Sequence, residues 1–594
     1  MQPYFDPLDT RFKSVTGAVQ QNSALNIFVA ASDSFNEAFL VTESDGGEKK
    51  TYPMEKSSGG FCVSLDTEKT GLFFYYFIID GERYGASDSL MLVKGSLKNF
   101  QLSVYVRDYK TPAFLKGGLI YQIFPDRFCK VGEKPIKSGK IKRYDWGGLP
   151  TYKNEKGEVL NNEFFGGNFD GIRSKIPYLK SLGVTAVYLN PIAEAYSSHR
   201  YDTGDYLTPD MQLGTEEELK TMLSELKKAG IKVIFDGVYN HTGADSAYFN
   251  KYGTYPSCGA YNSPLSPYLG WYYFDNYPDD YECWWGFKCL PKLNPYSSFR
   301  KFVLKEVIPK YMSLGFSGVR LDVVDEIPDE FVKDIRKTVK EADEDGAVIG
   351  EVWEDATNKI AYGVRRKYFL GEELDSVMNY PLKNAVIDFL LHADSSSFVK
   401  VAREQINNYP KSSLDVLMNV LSTHDTSRII TVLGRSRVIV DKDLMREEIL
   451  DEEEYEKGKN LAKIAYVLVY TVYGTPSLYY GDEAGVFGDL DPYNRLCYPW
   501  GKEDNELLEF FRKLGKIRKN EVFTAGTFRF IHTDEKIVIF ERKLNNKSVV
   551  VAASRENADV KLKFSRPLTA MLAGGKKSDI HVLKSDSAEI FLSK

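Results

Sequence analysis

The apolar run at 315–322 ends in charged residues that could do chemistry. Arg320 and Asp322 stand two apart, so on a β-strand both side chains point to the same face. A guanidinium beside a carboxylate keeps it ionised and oriented, as a nucleophile requires. A second apolar run ends at Glu351, and apolar neighbours on both sides are expected to raise its pKa, as a general acid requires.

Two further apolar runs deliver side chains of the same kind. One ends in Asp236 and is followed by His241, and the other is followed by His424 and Asp425. Catalytic residues of a parallel barrel come from the ends of several different strands. A single acid at a strand end is as often structural as functional, but acids from several strands, with imidazoles and an arginine, indicate one shared site.

The chemistry that suits this set is glycoside hydrolysis. Its oxocarbenium-like transition state needs one carboxylate as nucleophile or electrostatic partner and one carboxylic acid to protonate the leaving oxygen. Different neighbourhoods are how two carboxyl groups take these two roles. The residues therefore favour Asp322, beside Arg320, as the nucleophile and Glu351 as the acid.

Positioning such a set requires parallel strands, and the sequence predicts eight of them. Short apolar runs alternate with amphipathic helices, such as the helix at 215–229 that Gly230 closes. This alternation is typical of an α/β fold, the (β/α)8 TIM barrel with insertions. The barrel strands are expected at 119–124, 186–190, 232–236, 318–322, 347–351, 376–378, 417–421 and 476–480.

The barrel is predicted to occupy 113–521, between two β-sandwich domains. Short alternating strands separated by turn clusters predict the sandwiches at 1–112 and at 522–594. The segment 242–298, rich in Tyr, Trp, Pro and Gly, is too long for a plain loop and predicts a small subdomain over the barrel mouth. The charged segment 434–459 is expected to be a solvated helical excursion.

Bulk properties exclude several classes of function. A net charge of −6 argues against nucleic-acid binding, and no apolar stretch is long enough to span a membrane. The amino terminus lacks the basic and apolar regions of a secretory signal. Six cysteines are scattered without metal-ligand spacing, which favours reduced thiols in a cytoplasmic protein.

Four stretches around these residues resemble a known family. They are Asp236-Gly-Val-Tyr-Asn-His241, Gly318-Val-Arg-Leu-Asp322, Gly350-Glu-Val-Trp353 and Ser422-Thr-His-Asp425. In this order, over about 118–520, they are similar to the four conserved motifs of the α-amylase family, glycoside hydrolase family 13. The resemblance implies a retaining reaction with Asp322 as nucleophile, Glu351 as general acid/base and Asp425 as transition-state stabiliser. It also implies that four residues hold the sugar or the nucleophile: Asp236, His241, Arg320 and His424.

Other stretches narrow the resemblance to the neopullulanase, cyclomaltodextrinase and maltogenic amylase group. They are Ile123-Phe-Pro-Asp-Arg-Phe128, Leu189-Asn-Pro-Ile192, His199-Arg-Tyr-Asp-Thr203 and Leu290-Pro-Lys-Leu-Asn294. By this resemblance Tyr201 stacks under the reacting sugar with His199 nearby, Asp491 and Arg495 contact the donor side, and Trp353 is an acceptor-side platform. In this group the N-terminal domain is often a starch-binding-like or dimerisation module, so a homodimer is one expected assembly.

The sequence departs from this group at the residues that would bind calcium. Relatives often bind it with Asn and Asp residues just after the stretch that ends at Phe128. This chain has lysines there, whereas hard cations need oxygen ligands, so the pattern is degraded. Asn168 and Asp170 remain candidate partial ligands. The chemistry needs no metal, and no cofactor is expected.

The leading hypothesis is a hydrolase of α-1,4-glucans such as maltodextrin, cyclodextrin, pullulan or starch fragments, with α-1,6 bonds as a further target. The alternative is an α-glucan transglycosylase, in which a sugar replaces water at the same glycosyl-enzyme. A third hypothesis is an amylase-like partner protein without catalysis, as in certain transporter subunits. Those proteins lack the three acids and carry a membrane anchor, whereas this chain keeps all three acids.

Overall fold

The computed structural model describes residues 2–437, 439–446 and 449–593. Eight parallel strands in the middle of the chain form one sheet, in which each strand lies beside its chain neighbours and the first pairs with the eighth. A parallel bridge between Met378 and Met418 joins the sixth and seventh strands and closes the barrel. The barrel strands are Ile120–Ile123, Ala186–Leu189, Lys232–Gly237, Gly318–Leu321, Ala347–Gly350, Ser376–Val377, Met418–Val420 and Thr475–Tyr479. The predicted (β/α)8 barrel is confirmed.

Amphipathic helices surround the barrel. The longer ones are Phe169–Ser174, Ile176–Ser181, Glu216–Lys228, Ser298–Phe302, Ile308–Leu314, Asp329–Ala342, Tyr380–His392, Ser396–Asn408, Ile429–Gly434, Glu452–Thr471 and Asn505–Arg518. The short ones are Pro125–Phe128, Lys411–Leu414, Lys442–Met445 and Val522–Ala525. Within the described ranges, no helix combines the length and the apolar character needed to cross a membrane.

Local sequence explains where these elements begin and how closely they pack. The helix Glu216–Lys228 begins with a capping box, in which Thr215 and Glu218 satisfy each other's backbone N–H groups. In the fourth barrel strand, Gly318 has a φ of 154° and lies against Ala347 of the fifth strand. A Cβ at this position would lie 2.4 Å from the Ala347 carbonyl oxygen, so the close strand contact requires glycine.

The N-terminal region is built from a seven-stranded and a three-stranded sheet. The aromatic run near its centre is the strand Gly71–Ile79, whose alternate side chains Tyr75 and Phe77 are buried against Phe5 and Phe100. The strands are Val19–Gln20, Ala24–Ala30, Ala38–Ser44, Lys49–Pro53, Glu55–Ser57, Gly60–Asp66, Gly71–Ile79, Glu82–Ala86, Leu92–Lys94 and Phe100–Tyr105.

The C-terminal region contains six antiparallel strands. One face, including Val538 and Phe540, joins the hydrophobic core of the barrel, whereas Ile539 and Val550 belong to a separate core. The long strand Val560–Ala570 pairs with two different strands along its length. The strands are Thr527–Thr533, Ile537–Leu544, Lys547–Ser554, Val560–Ala570, Ser578–Leu583 and Ser587–Ser593.

Segments between barrel strands carry small ladders and turns. The segment after the third strand packs its aromatic rings together, with the Phe249 ring centroid 4.8 Å from Tyr272 and 4.7 Å from Tyr281. In the charged segment 434–459, Val438, Glu447 and Glu448 lie outside the described residues. The ladders are formed by Ile141–Lys142 with Glu163–Phe164, Ala193–Ala195 with Thr203–Pro209, Phe274–Asn276 with Asp280–Tyr281, and Ile360–Ala361 with Val364–Arg365.

Candidate active site

Three carboxylates converge on one buried arginine at the carboxyl-terminal mouth of the barrel. The Arg320 Nη1 donates hydrogen bonds of 2.9 Å to Asp236 Oδ1 and to Asp322 Oδ1. Its Nη2 lies 2.8 Å from Glu351 Oε2 and forms an ion pair with it. The Arg320 side chain is 1% exposed, so these contacts are shielded from water and keep much of their strength.

Strand register accounts for this convergence. Asp236 on the third strand is the register partner of Arg320 on the fourth. Asp322 follows Arg320 by two residues, so its side chain lies on the same face of the strand. Glu351 directly follows the fifth strand, which pairs in register with the fourth. The predicted placement of the acids at the strand ends therefore agrees with the structure.

The residue after Asp322 has an unusual backbone conformation. Val323 has a φ of 48°, in the left-handed region that β-branched residues avoid. In this conformation its N–H donates a 3.0 Å hydrogen bond to Glu351 Oε2. Strained backbone of this kind concentrates at functional sites. Here it ties the loop after the fourth strand to the carboxylate after the fifth.

The prediction that Glu351 lies in apolar surroundings is wrong. Its two carboxylate oxygens contact the guanidinium of Arg320, the N–H of Val323 and the indole N–H of Trp353, the last at 3.0 Å. The apolar residues before Glu351 belong to the strand and are buried in the barrel. Chain neighbours therefore gave the wrong surroundings, because two of the three contacts come from the fourth strand and the loop after it, and the neighbour Trp353 contributes a polar N–H.

Burial and like charges raise the pKa of two acids of the site. Burial raises the pKa of Asp322 well above its ordinary value, and the carboxylates of Glu351 and Asp236 add to this effect against the opposing charge of Arg320. Burial, followed by the charge of Glu351, raises the pKa of Asp425 to about 7. Acids packed this closely titrate as a group. The cluster can therefore hold a proton near neutral pH, as acid catalysis requires.

A chain of hydrogen bonds links Asp236 to Asp425 through Tyr201 and His424. The Tyr201 hydroxyl donates to Asp236 Oδ2 at 2.7 Å and lies 2.6 Å from His424 Nε2, which is 3.0 Å from Asp425 Oδ2. The other ring nitrogen of His424 lies 3.0 Å from the Gln122 amide nitrogen. An amide donates here, so the proton of the neutral imidazole is on Nε2, facing Tyr201 and Asp425.

Sequence reasoning gave no role to three residues that hold this chain in place. Gln122 and Asn190 bond to each other at 3.1 Å, and Asn190 donates to the Tyr201 hydroxyl at 2.9 Å. Tyr188 donates to Asp236 Oδ2 at 2.5 Å. Gln122 could have been found, because it is a polar residue inside an otherwise apolar strand, and a buried polar group needs a partner.

The other two predicted histidines flank the site and are neutral at neutral pH. Burial lowers the pKa of His199 to about 3 and that of His241 to about 4. His199 Nδ1 accepts a 3.1 Å hydrogen bond from the Tyr201 N–H. His241 stacks on Trp284, with centroids 5.2 Å apart, and among the described residues nothing hydrogen-bonds its buried Nε2.

Asp491 and Arg495 follow the eighth strand and lie on the other side of the barrel mouth. The Arg495 Nε donates to the His424 carbonyl oxygen at 2.9 Å, and its Nη2 lies 3.6 Å from Asp425 Oδ1. Asp491 pairs with Lys442 of the charged segment at 3.0 Å. Burial opposes ionisation of Asp491, but the charges of Arg495 and Lys442 outweigh it and lower its pKa.

Trp353 provides an exposed ring next to Glu351. It is 42% exposed and stacks on the buried Tyr380 with a centroid separation of 3.8 Å and an interplanar angle of 4°. Its indole N–H is the group that donates to Glu351. Tyr380 holds one face of the Trp353 ring, and the exposed part of the ring is suited to stacking against a sugar.

Comparison with known proteins decides the family. The family description "Alpha amylase, catalytic domain" matches residues 122–495. The chain belongs to the α-amylase family. It is 30% identical to a cyclomaltodextrinase of Thermoanaerobacter pseudethanolicus over 87% of its length and 79% of that protein. It is 31% identical to an amylopullulanase of Thermoanaerobacterium saccharolyticum over 97% of its length, and it spans 51% of that longer protein.

Solved structures of the α-amylase family share the architecture. The type III pullulan hydrolase from Thermococcus kodakarensis superimposes with a TM-score of 0.70 at 25% identity, over 99% of this chain and all of that one. A cyclic α-maltosyl-(1→6)-maltose hydrolase from Arthrobacter globiformis gives 0.68 at 26% identity, over 81% of this chain and 100% of that one.

The residues near Phe128 do not fit the calcium site expected from α-amylase family relatives. The ammonium of Lys134 lies 3.1 Å from Asp170 Oδ2 and 2.5 Å from Glu218 Oε1. It therefore occupies the carboxylate oxygens that a metal cation would need as ligands. Asn168 Oδ1 accepts the Gly171 N–H as a helix cap. Within the described residues, no group of three or more His, Cys, Asp or Glu side chains could hold a metal.

Chelation of metal ions is therefore expected to have little effect. Because Lys134 already supplies a positive charge to Asp170 and Glu218, EDTA should change neither kcat nor Tm beyond experimental error. The measurement is activity and thermal melting after dialysis against EDTA, compared with dialysis against added CaCl2. A clear rise in Tm with calcium would show that a site exists and contradict this expectation.

Proposed function

We propose that the chain is a retaining glycoside hydrolase that cleaves α-1,4-glucosidic bonds. The observation that carries the proposal is the contact of one buried guanidinium, that of Arg320, with the carboxylates of Asp322 and Glu351 on neighbouring strands. Two acids held on one side of a barrel mouth, with a third at Asp425, are what a glycosyl transfer through an oxocarbenium-like transition state needs.

In the proposed reaction, a carboxylate oxygen of Asp322 attacks the anomeric carbon while Glu351 donates a proton to the glycosidic oxygen. The carbon–oxygen bond to the leaving sugar breaks, and a glycosyl ester of Asp322 forms. Glu351, now ionised, takes a proton from water as the water oxygen attacks the same carbon. The ester bond breaks, Asp322 leaves as a carboxylate, and the anomeric configuration is retained.

The substrates proposed are α-glucans: maltodextrins, cyclodextrins, pullulan or starch fragments. Support comes from the names of similar proteins, which include amylopullulanase, cyclomaltodextrinase and neopullulanase. These names cover pullulan and cyclic or linear dextrins, so cleavage of α-1,6 bonds is part of the proposal. Cytoplasmic location and a homodimer stay predictions.

Products from pullulan test the proposal and identify the bond. Panose or isopanose is expected, because both keep the α-1,6 bond and result from cleavage at one of the two α-1,4 positions. Maltotriose would instead show cleavage of α-1,6 bonds. Chromatography of the products against these three standards gives the answer. Failure to cleave pullulan, cyclodextrin and maltodextrin alike would overturn the proposed function.

Transfer to a sugar is the second candidate, and the open ring of Trp353 beside Glu351 favours it. A sugar stacked there could replace water in the second step. Incubation with concentrated maltotriose distinguishes the two reactions, because transfer yields oligosaccharides longer than the substrate. If only shorter products form at every concentration, the enzyme is a hydrolase alone.

The acid limb of kcat/KM is expected at a higher pH than an ordinary aspartate would give. Asp322 must be ionised to attack, but burial and neighbouring carboxylates raise its pKa well above the ordinary value, and the pKa of Asp425 is about 7. As the pH falls through these raised values, the cluster takes up protons and the nucleophile is lost. Profiles of kcat/KM between about pH 4 and about pH 8 test this. Full activity at the acid end would contradict it.

A further inference from the structure

A cavity of about 690 Å³ lies between the barrel and the C-terminal domain. Its walls come from the barrel helices Glu452–Thr471 and Asn505–Arg518 and from C-terminal residues that include the start of the strand Ser587–Ser593. None of the side chains assigned to the candidate active site lines it. Small-molecule sites typically measure about 300 to about 1,000 Å³ and lie preferentially at domain interfaces. The size and the place of this cavity therefore suit a second ligand site.

One wall of the cavity is apolar. Leu461, Ile464 and Val467 follow one another at helical spacing, and each is at most 5% exposed. Phe510 and Leu572, both partly buried, add to the apolar lining. Sugar hydroxyl groups placed against such side chains would lose hydrogen bonds to water without gaining partners, whereas an apolar group would gain from burial. The lining therefore favours a hydrocarbon or aryl group over a glucan.

Positive charge accompanies this apolar wall. Three cationic side chains line the cavity, Lys457, Lys463 and Arg555, against the single anionic side chain of Asp586. Lys463 pairs with Glu506, which lies outside the lining, and Lys457 has no ion-pair partner in the described part of the chain. The chain as a whole carries a net charge of −6, so this local excess of positive charge runs against the overall balance. The cavity should attract an anion.

Arg555 has hydrogen-bond donors left for such an anion. Its side chain is 15% exposed, and its Nη1 pairs with Asp586. No group within the described ranges accepts a hydrogen bond from its buried Nε. A guanidinium carries five N–H donors in a fork that fits a carboxylate or a phosphate. Because an unpaired donor away from water is costly, a second acceptor at this guanidinium would be favourable.

We propose that this cavity binds a small amphipathic anion, whose carboxylate or phosphate pairs with Arg555 and whose apolar body lies on Leu461 and Ile464. Lys457 and Lys463 would add attraction at longer range. This ligand is not the α-glucan, and the inference does not depend on the proposed function. A ligand held here contacts a barrel helix and the C-terminal domain together, so its binding should also raise the Tm.

Calorimetric titration of the full chain with 1-naphthyl phosphate tests both parts of the site. 1-Naphthol lacks the phosphate and inorganic phosphate lacks the ring, so each should bind at least about tenfold more weakly. 1-Naphthoate distinguishes the two sources of the oxyanion, because the tighter of the two naphthyl anions identifies the ligand as a phosphate ester or a carboxylic acid. Binding of neither anion, or equal affinity for 1-naphthol, would overturn the proposal.

Two variants locate the binding. Arg555→Gln should weaken binding of 1-naphthyl phosphate about tenfold or more, the loss typical of a hydrogen bond to a charged group. Ala588→Phe keeps every charge and adds a ring at the lining, so it should block the ligand as well. Lys584→Gln is the matched control, because it removes one positive charge and the ion pair with Asp559 in the same turn without touching the lining. It should bind within about twofold of the wild type.

Lys457→Gln keeps the test valid if the other variants fold poorly. Lys457 is exposed, so its loss should leave the Tm of the free protein unchanged and weaken binding about twofold to fivefold. Wild-type affinity in Arg555→Gln and in Ala588→Phe would place the binding elsewhere and overturn the site. An equal loss in Lys584→Gln and in Lys457→Gln would mean that only overall charge matters, which would overturn it too.

Discussion

Asp322→Asn should abolish hydrolysis, with kcat/KM on maltodextrins falling at least about ten-thousandfold. The amide keeps the size of the carboxylate and can still accept the hydrogen bond from Arg320, so the site should keep its shape. It cannot form a stable glycosyl ester, because it carries no negative charge. Thermal stability should be equal or higher, since burial and then the neighbouring carboxylates raise the pKa at this position and so disfavour a negative charge there, and the amide carries none.

Two measurements separate loss of the nucleophile from general damage. Initial rates with maltotriose and with α-maltosyl fluoride should both be lost, because an activated leaving group does not replace a missing nucleophile. Asp325→Asn serves as a control, since Asp325 lies three residues away and bonds to Tyr368 and Lys359 instead. A near-normal rate in Asp322→Asn, on either substrate, would remove Asp322 from the proposed role.

The barrel and the positions of its acids could be predicted because both depend on local rules. Side chains alternate along a strand, so the spacing of Arg320 and Asp322 fixes their shared face. The carboxyl ends of parallel strands meet at one rim, so acids that end separate runs must converge. These arguments need no knowledge of loops, and the register of the third, fourth and fifth strands agrees with them.

The surroundings of the acids could not be predicted in the same way. Glu351 follows an apolar strand, yet its oxygens contact Arg320 from one strand and the Val323 N–H from a loop. The contact with Val323 requires a left-handed backbone at a β-branched residue, which local propensity disfavours. Tertiary structure imposed this conformation, and a sequence pattern that predicts ordinary conformations cannot reveal it.

The contacts of Glu326 could not be predicted from the sequence either. Tyr362 and Trp285 are far apart in sequence, and nothing in either stretch marks them as neighbours. They meet because Glu326 contacts both and because Arg365 pairs with Asp45 of the N-terminal domain. Long-range pairing of this kind depends on three loops and a second domain.

Glu351→Gln is expected to lower kcat/KM on maltodextrins by about a hundredfold to ten-thousandfold, the range for loss of a general acid. Glutamine keeps the shape of the carboxyl group and can accept one of the two N–H bonds, which end on different oxygens of Glu351, but it cannot donate a proton to the glycosidic oxygen. The loss should depend on the leaving group. Fluoride leaves without a proton, so the first step with α-maltosyl fluoride should proceed in the variant although cleavage of maltodextrin does not.

The second step then reveals the base role of the same residue. Without Glu351 to activate water, the glycosyl-enzyme should accumulate, and mass spectrometry of the variant after brief exposure to α-maltosyl fluoride should find maltosyl on the peptide that contains Asp322. Asp322→Asn should give no such adduct. Equal losses on maltodextrin and on the fluoride, with no adduct, would mean that Glu351 only supports Arg320 by charge. Loss on maltodextrin alone, with an adduct, assigns the acid and the base to one carboxyl group.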